Sequence, residues 1–170
     1  PPEDPNDVSA KTRWERKRAA YLATLYNANF KAPDGFKVKF SGNKELNKLV
    51  RPDGTLDPSK GISLQEAVAW FEKIWDNYHT HTYFQNYPSS HDGREWADED
   101  LKAILAFLTR KKTPGGAANV SGFRKLRGIL DLHTSSTDKP FEEEIIESLR
   151  NGKIIIVDLS QGDPNVQALY

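Results

Sequence analysis

The chain has no cysteine and no methionine. Without thiols it makes neither disulfides nor thiolate metal centres, and this usage fits a reducing compartment, so a cytoplasmic setting is expected. Long apolar runs are missing as well. No stretch approaches the roughly 20 residues needed to span a bilayer, and the opening Pro1-Pro2-Glu3-Asp4-Pro5 lacks the apolar core of a secretory signal. Nor is there an excess of either charge: 24 Lys plus Arg balance 24 Asp plus Glu. No overall field therefore draws the molecule to nucleic acid or membrane, and any polyanion contact has to come from local patches. The missing initiator Met and the abrupt final stretch from Pro164 to Tyr170 lead us to expect a segment cut from a longer chain.

What is present reads as mainly helical. An acidic, Pro-rich leader occupies residues 1–10 and a helical region residues 11–150, with a possible subdomain boundary in the Pro- and Gly-rich stretch 51–61. Residues 151–170 then begin a different layer. The first helix is expected over Lys11 to Phe30, with Trp14, Tyr21, Leu22, Leu25 and Tyr26 as its apolar face and a basic face opposite. Alternation in Phe36-Lys37-Val38-Lys39-Phe40 suggests a short strand, and Asn43 to Val50 a small helix. Ser63-Leu64-Gln65-Glu66 is a capping box, launching a helix with the stripe Ala67, Val68, Phe71, Ile74, Trp75 and Tyr78. His79 to Gly93 reads as a polar aromatic loop. Asp98 caps a helix with Leu101, Ile104, Leu105 and Leu108 on one face, closed by Arg110, Lys111 and Lys112. Beyond Pro114-Gly115-Gly116 a helix is expected over Val120 to Leu130, and another from Asp138 and Pro140 to Arg150, stopped by Asn151-Gly152. The β-branched run Ile154-Ile155-Ile156-Val157 suits a strand buried on both faces.

Three groups of residues invite a chemical reading. Asp158 follows the buried run at the edge where α/β sheets hold ligands, so it reads either as the Mg²⁺-holding acid of a Walker B strand or as the cap of the following turn. No Gly-x-x-x-x-Gly-Lys-Ser/Thr phosphate loop is present, and Leu159 stands where a second acid would be needed. His79, His81 and His91, with Asp76 or Asp92, could be brought together as a metal site; solvated loop histidines are the plainer alternative. Two basic clusters are candidates for nucleic-acid contact. One is Lys11, Arg13, Arg16, Lys17 and Arg18; the other is Arg110, Lys111 and Lys112 with Arg124, Lys125 and Arg127.

The segment Asn151-Gly152-Lys153-Ile154-Ile155-Ile156-Val157-Asp158-Leu159-Ser160 resembles the strand preceding Walker B in HerA/FtsK-like and VirB4-like ATPases. Lys153, Asp158, Leu159 and Ser160 match that pattern, and the match covers only about the last tenth of the chain. The resemblance implies a fold in which a helical insert hands over to an α/β ATPase sheet. It implies a parent that binds ATP and Mg²⁺, forms a hexamer and drives DNA or a secreted substrate. This segment, carrying neither Walker motif, would then supply subunit or nucleic-acid contacts rather than catalysis. In that arrangement the stripe from Val68 to Tyr78 packs on the ATPase sheet. The competing expectation is a protein-interaction adaptor that makes contact through the aromatic loop from Tyr78 to Tyr87.

Overall fold

The computed structural model describes residues 2, 4, 6–122, 125, 126, 128–130 and 141–156. The chain is mainly helical and divides into two compact units, Pro1–Ser135 and Ser136–Tyr170. None of its described helices is long and apolar enough to cross a membrane.

In the first unit α1 spans Val8–Asn27. Asp7 starts it by accepting the Ala10 N–H at 2.8 Å, satisfying one of the donors a helix leaves unpaired at its start. The helix therefore begins inside the expected leader, and it stops before Phe30, where Asn29 takes a positive φ of 76°. Its buried face also differs from the expected one. Trp14, Tyr21 and Tyr26 are exposed, whereas Arg16, Ala19, Ala20, Ala23 and Thr24 are buried. The reason is steric: α1 packs against both α3 (Leu64–Asn77) and α5 (Glu99–Thr109), and small side chains let three backbones approach. Asn27 Nδ2 ties the end of α1 to the Leu108 carbonyl at 3.2 Å.

The expected strand is shorter than its alternation suggests. β1, Lys37–Val38, pairs antiparallel with β2, Ile62–Ser63, in the register Lys37 to Ser63 and Val38 to Ile62. Between them lie α2, Lys44–Val50, capped by Asn43 as expected, and a single 3-10 turn at Pro58–Lys60. Residues 51–61 run within the first unit, with Leu56 and Pro58 buried.

β2 leads straight into α3, whose capping box forms as expected. The Ser63 hydroxyl accepts the Glu66 N–H at 3.2 Å, and the Glu66 carboxylate accepts the Ser63 N–H at 3.0 Å. Leu64, Ala67, Trp70, Phe71, Ile74 and Trp75 are buried along it. Trp70, absent from the expected stripe, is fully buried at its centre, edge-on to Phe40 at 5.0 Å and to Phe71 at 5.0 Å. Its indole N–H donates to Asn47 Oδ1 at 3.1 Å, which supplies the partner a buried indole requires. Because α1, α2 and α5 cover this stripe within the unit, it is not the surface offered to a separate sheet.

The expected loop after α3 contains α4, Thr82–Asn86, and a 3-10 turn at Pro88–Ser90. Five residues are too few to show a helical period, which is why the sequence pattern missed it. Asp98 caps α5 through the Leu101 N–H, and Leu101, Leu105 and Leu108 are buried, as expected. The helix expected over Val120 to Leu130 falls partly outside the described residues. Of its described residues only Lys125 and Leu126 are α-helical, and residues 120–122 and 128–130 are not.

In the second unit α6 spans Phe141–Arg150 and ends as expected. Gly152 takes φ 73°, and the Lys153 N–H returns to the Ser148 carbonyl at 3.0 Å. The expected buried strand does not form over its described part. Residues 153–156 make no β-pairing, and Ile154 and Ile156 are 91% and 89% exposed. A strand buried on both faces needs neighbouring strands on its edges, and none pairs with it among the described residues. Val157 lies outside them.

Candidate functional site

The structure scatters the residues expected to contact phosphate. Lys17 is held between Asp98 at 2.7 Å and Asp100 at 2.8 Å. Lys111 pairs with Asp76, Arg13 donates to Ser9 at 2.7 Å, and Arg18 lies over the exposed Trp14 ring. Lys11, Lys112 and Lys125 are exposed. Arg124, Arg127 and Asp158 lie outside the described residues. Two of the expected basic residues, Lys17 and Lys111, are thus already paired with local carboxylates.

Arg16 differs from Lys17 and Lys111: its cation is buried, and among the described residues no carboxylate lies within ion-pair distance, Asp98 acting on it only from further away. It shares a helix face with Ala19, Ala20 and Ala23, which carries it into the packing side of α1, and only 6% of it is exposed. Its guanidinium lies 4.2 Å over the Trp96 ring, and Nη1 donates to the Trp96 carbonyl at 2.9 Å. Nε is buried without a hydrogen-bond partner. Among the described residues no carboxylate forms an ion pair with Arg16. Burial pushes its pKa below the ordinary value, and Tyr87, Tyr83 and the more distant Asp98 carboxylate only partly oppose this. An arginine starts from so high a value that it keeps its charge regardless.

That buried cation borders a cavity of about 280 Å³. Its lining combines the apolar Leu46, Trp70 and Trp96 with the polar Thr12, Ser41 and Asn43 and with Tyr83, Tyr87 and His91. Each element contributes for a local reason. Gly42 brings the 41–43 turn close to α2, since a Cβ there would lie 2.7 Å from Asn47 Oδ1. His91 stacks on Tyr87 with ring centroids 3.7 Å apart, and its Nδ1 is 3.0 Å from the Tyr87 carbonyl. Chemically the pocket is bordered by one full positive charge and by the hydroxyl-bearing Thr12, Ser41, Tyr83 and Tyr87, next to aromatic side chains.

The histidines do not converge on a metal. His81 Nδ1 accepts the Tyr83 N–H to cap α4 and lies 3.8 Å from Glu45. His79 sits beside the Tyr78 ring, and Asp76 is taken by Lys111. Among the described residues no three His, Cys, Asp or Glu side chains group to hold an ion.

A wider cleft of about 730 Å³ runs past Trp75, His79, Glu95 and Lys102, but its charges answer each other. Lys102 bridges Glu95 and Glu99, and those hydrogen bonds raise its pKa while holding that of Glu95 below the carboxylate range. The aromatic loop expected to form a contact surface is largely internal: Phe84 is buried against Trp96 at 5.2 Å, and Tyr78, Tyr83 and Tyr87 pack on the core. No family model, no curated protein and no solved structure matches this chain.

Proposed function

We propose that this chain is a non-catalytic helical recognition module that takes a small anionic group in the pocket beside Arg16, and that it serves as the helical insert of a HerA/FtsK-like, ATP-driven translocase. One observation carries the recognition role: beside a polar cavity, Arg16 is 94% buried with an unpartnered Nε, and among the described residues no carboxylate is within ion-pair distance of it. Holding a cation in that state costs several kcal/mol unless an opposite charge compensates it. An anion entering the cavity supplies that compensation. A ligand that binds the folded state alone raises stability by RT ln(1 + [L]/Kd). Thermal unfolding of the whole chain at fixed ionic strength, titrated with acetate, methyl phosphate and sulfate against chloride, tests this directly. The midpoint should rise and saturate with at least one anion in the natural chain and stay flat in Arg16→Met. Equal responses in both proteins, or none in either, would overturn the recognition role.

The translocase setting rests on the Gly152-to-Ser160 resemblance and on the exposure of Ile154 and Ile156, since β-branched side chains of this kind ordinarily need cover. In this reading ATP and Mg²⁺ are bound by other parts of the parent, Asp158 lies at the edge of its sheet, and assembly into a hexamer belongs to the parent. Nucleic-acid contact would fall to the exposed Lys11, Arg18, Lys112 and Lys125. A salt series on DNA binding tests that part, because phosphate contacts make affinity fall steeply with salt.

A further inference from the structure

We infer that the Arg16 pocket is selective for a carboxylate over a phosphate. This rests on the recognition role proposed above and narrows its ligand. The first argument is charge. Among the described residues the cavity is lined by a single permanent cation, with no lysine and no second arginine. A carboxylate carries one negative charge and forms a neutral pair with that guanidinium. A phosphate monoester carries about −1.5 to −2 near neutral pH, which would leave excess negative charge in a space that burial has already made hostile to ions.

The second argument is shape. A guanidinium is a planar fork whose donors match the two coplanar oxygens of a carboxylate. Nη1 is already engaged by the Trp96 carbonyl, and the unpartnered Nε belongs to the other edge of the fork. A carboxylate lying against that edge satisfies Nε with one oxygen and keeps the Trp96 bond intact. Tyr83 and Tyr87, both close enough to act on the Arg16 charge, line the same cavity and carry hydroxyls that can donate to its remaining lone pairs. The third argument is room: about 280 Å³ accommodates a side-chain-sized acid, just below the usual 300 to 1,000 Å³ of sites for larger ligands.

The Arg16 Nε–H gives a direct readout in a ¹⁵N–¹H spectrum of the whole chain, assigned by its loss in Arg16→Lys. Acetate should shift that resonance saturably and bind at least tenfold more tightly than methyl phosphate at the same pH and ionic strength. Acetyl-aspartate amide and acetylglycine then separate the two peptide sources of the group, a side-chain carboxylate and a chain terminus. Methyl phosphate binding as tightly as acetate, or more tightly, overturns the carboxylate assignment while leaving an anion pocket in place. If neither probe moves the resonance, the pocket itself is refuted.

Discussion

The pocket makes its clearest prediction at the level of one side chain. A buried arginine kept for stability loses stability when removed, whereas one kept for a ligand is a burden on the empty protein. Replacing unsatisfied buried charge with an apolar side chain of similar length is often neutral or stabilising, by about 1 to 4 kcal/mol. Without added anion, Arg16→Met should therefore unfold in urea at the same or a higher midpoint than the natural chain. A loss of more than about 1 kcal/mol would mean that the bond to the Trp96 carbonyl and the contact with its ring are the reason Arg16 is there. Gly42 makes the opposite case. A Cβ there meets Asn47 Oδ1 at 2.7 Å, and Asn47 is pinned by the Trp70 indole. Gly42→Ala should cost about 1 to 3 kcal/mol through that clash, measured in the same urea titration. The sequence did hold the signal for Arg16, since residues 16, 19, 20 and 23 recur at helical spacing. The large apolar residues of the same stretch, Trp14 and Tyr21, face outward and mask that pattern.

Elements were legible where their local chemistry is self-contained and obscure where packing decides. The Ser63 capping box, the Asp98 cap and the Gly152 stop each satisfy backbone groups within a few residues, so their residue types reveal them. The face that α1 buries depends instead on two partner helices, and α4 is too short to carry a period. The capping box also gives a pH prediction. The Ser63 N–H, followed by the Ser63 hydroxyl and Arg51, holds the Glu66 carboxyl below its ordinary value of about 4.5. A depressed folded-state pKa contributes stability that is complete above the unfolded value and disappears as pH falls through the folded one. Stability should thus decline below about pH 4.5, and Glu66→Gln should flatten part of that slope in a pH series of unfolding midpoints. An unchanged slope would show that the box does not hold its charge in solution. Ser63→Ala should cost about 1 kcal/mol by loss of the cap. On α1, Ala20→Leu places a large side chain where the native residue is fully buried and should destabilise by about 1 to 3 kcal/mol.

At the scale of the molecule the two units differ in how they use apolar surface. The first unit closes a core on Trp70, Phe71, Phe40 and Leu105 while leaving Val8, Trp14 and Tyr21 exposed. The second displays Ile146, Leu149, Ile154 and Ile156. If the run after α6 belongs to a sheet of an ATP-driven parent, its isoleucines matter only where that sheet is present. In this chain Ile154→Lys with Ile156→Lys should leave the unfolding free energy within about 0.5 kcal/mol, because both side chains are almost fully exposed. In a protein continued past Tyr170 by its own gene, the same pair should cost several kcal/mol, since two charges would then be forced into a layer between helices. Urea midpoints for both lengths, with and without the lysines, decide it. An equally small effect at both lengths removes the sheet and, with it, the translocase setting, while leaving the Arg16 pocket to stand or fall on its own titration.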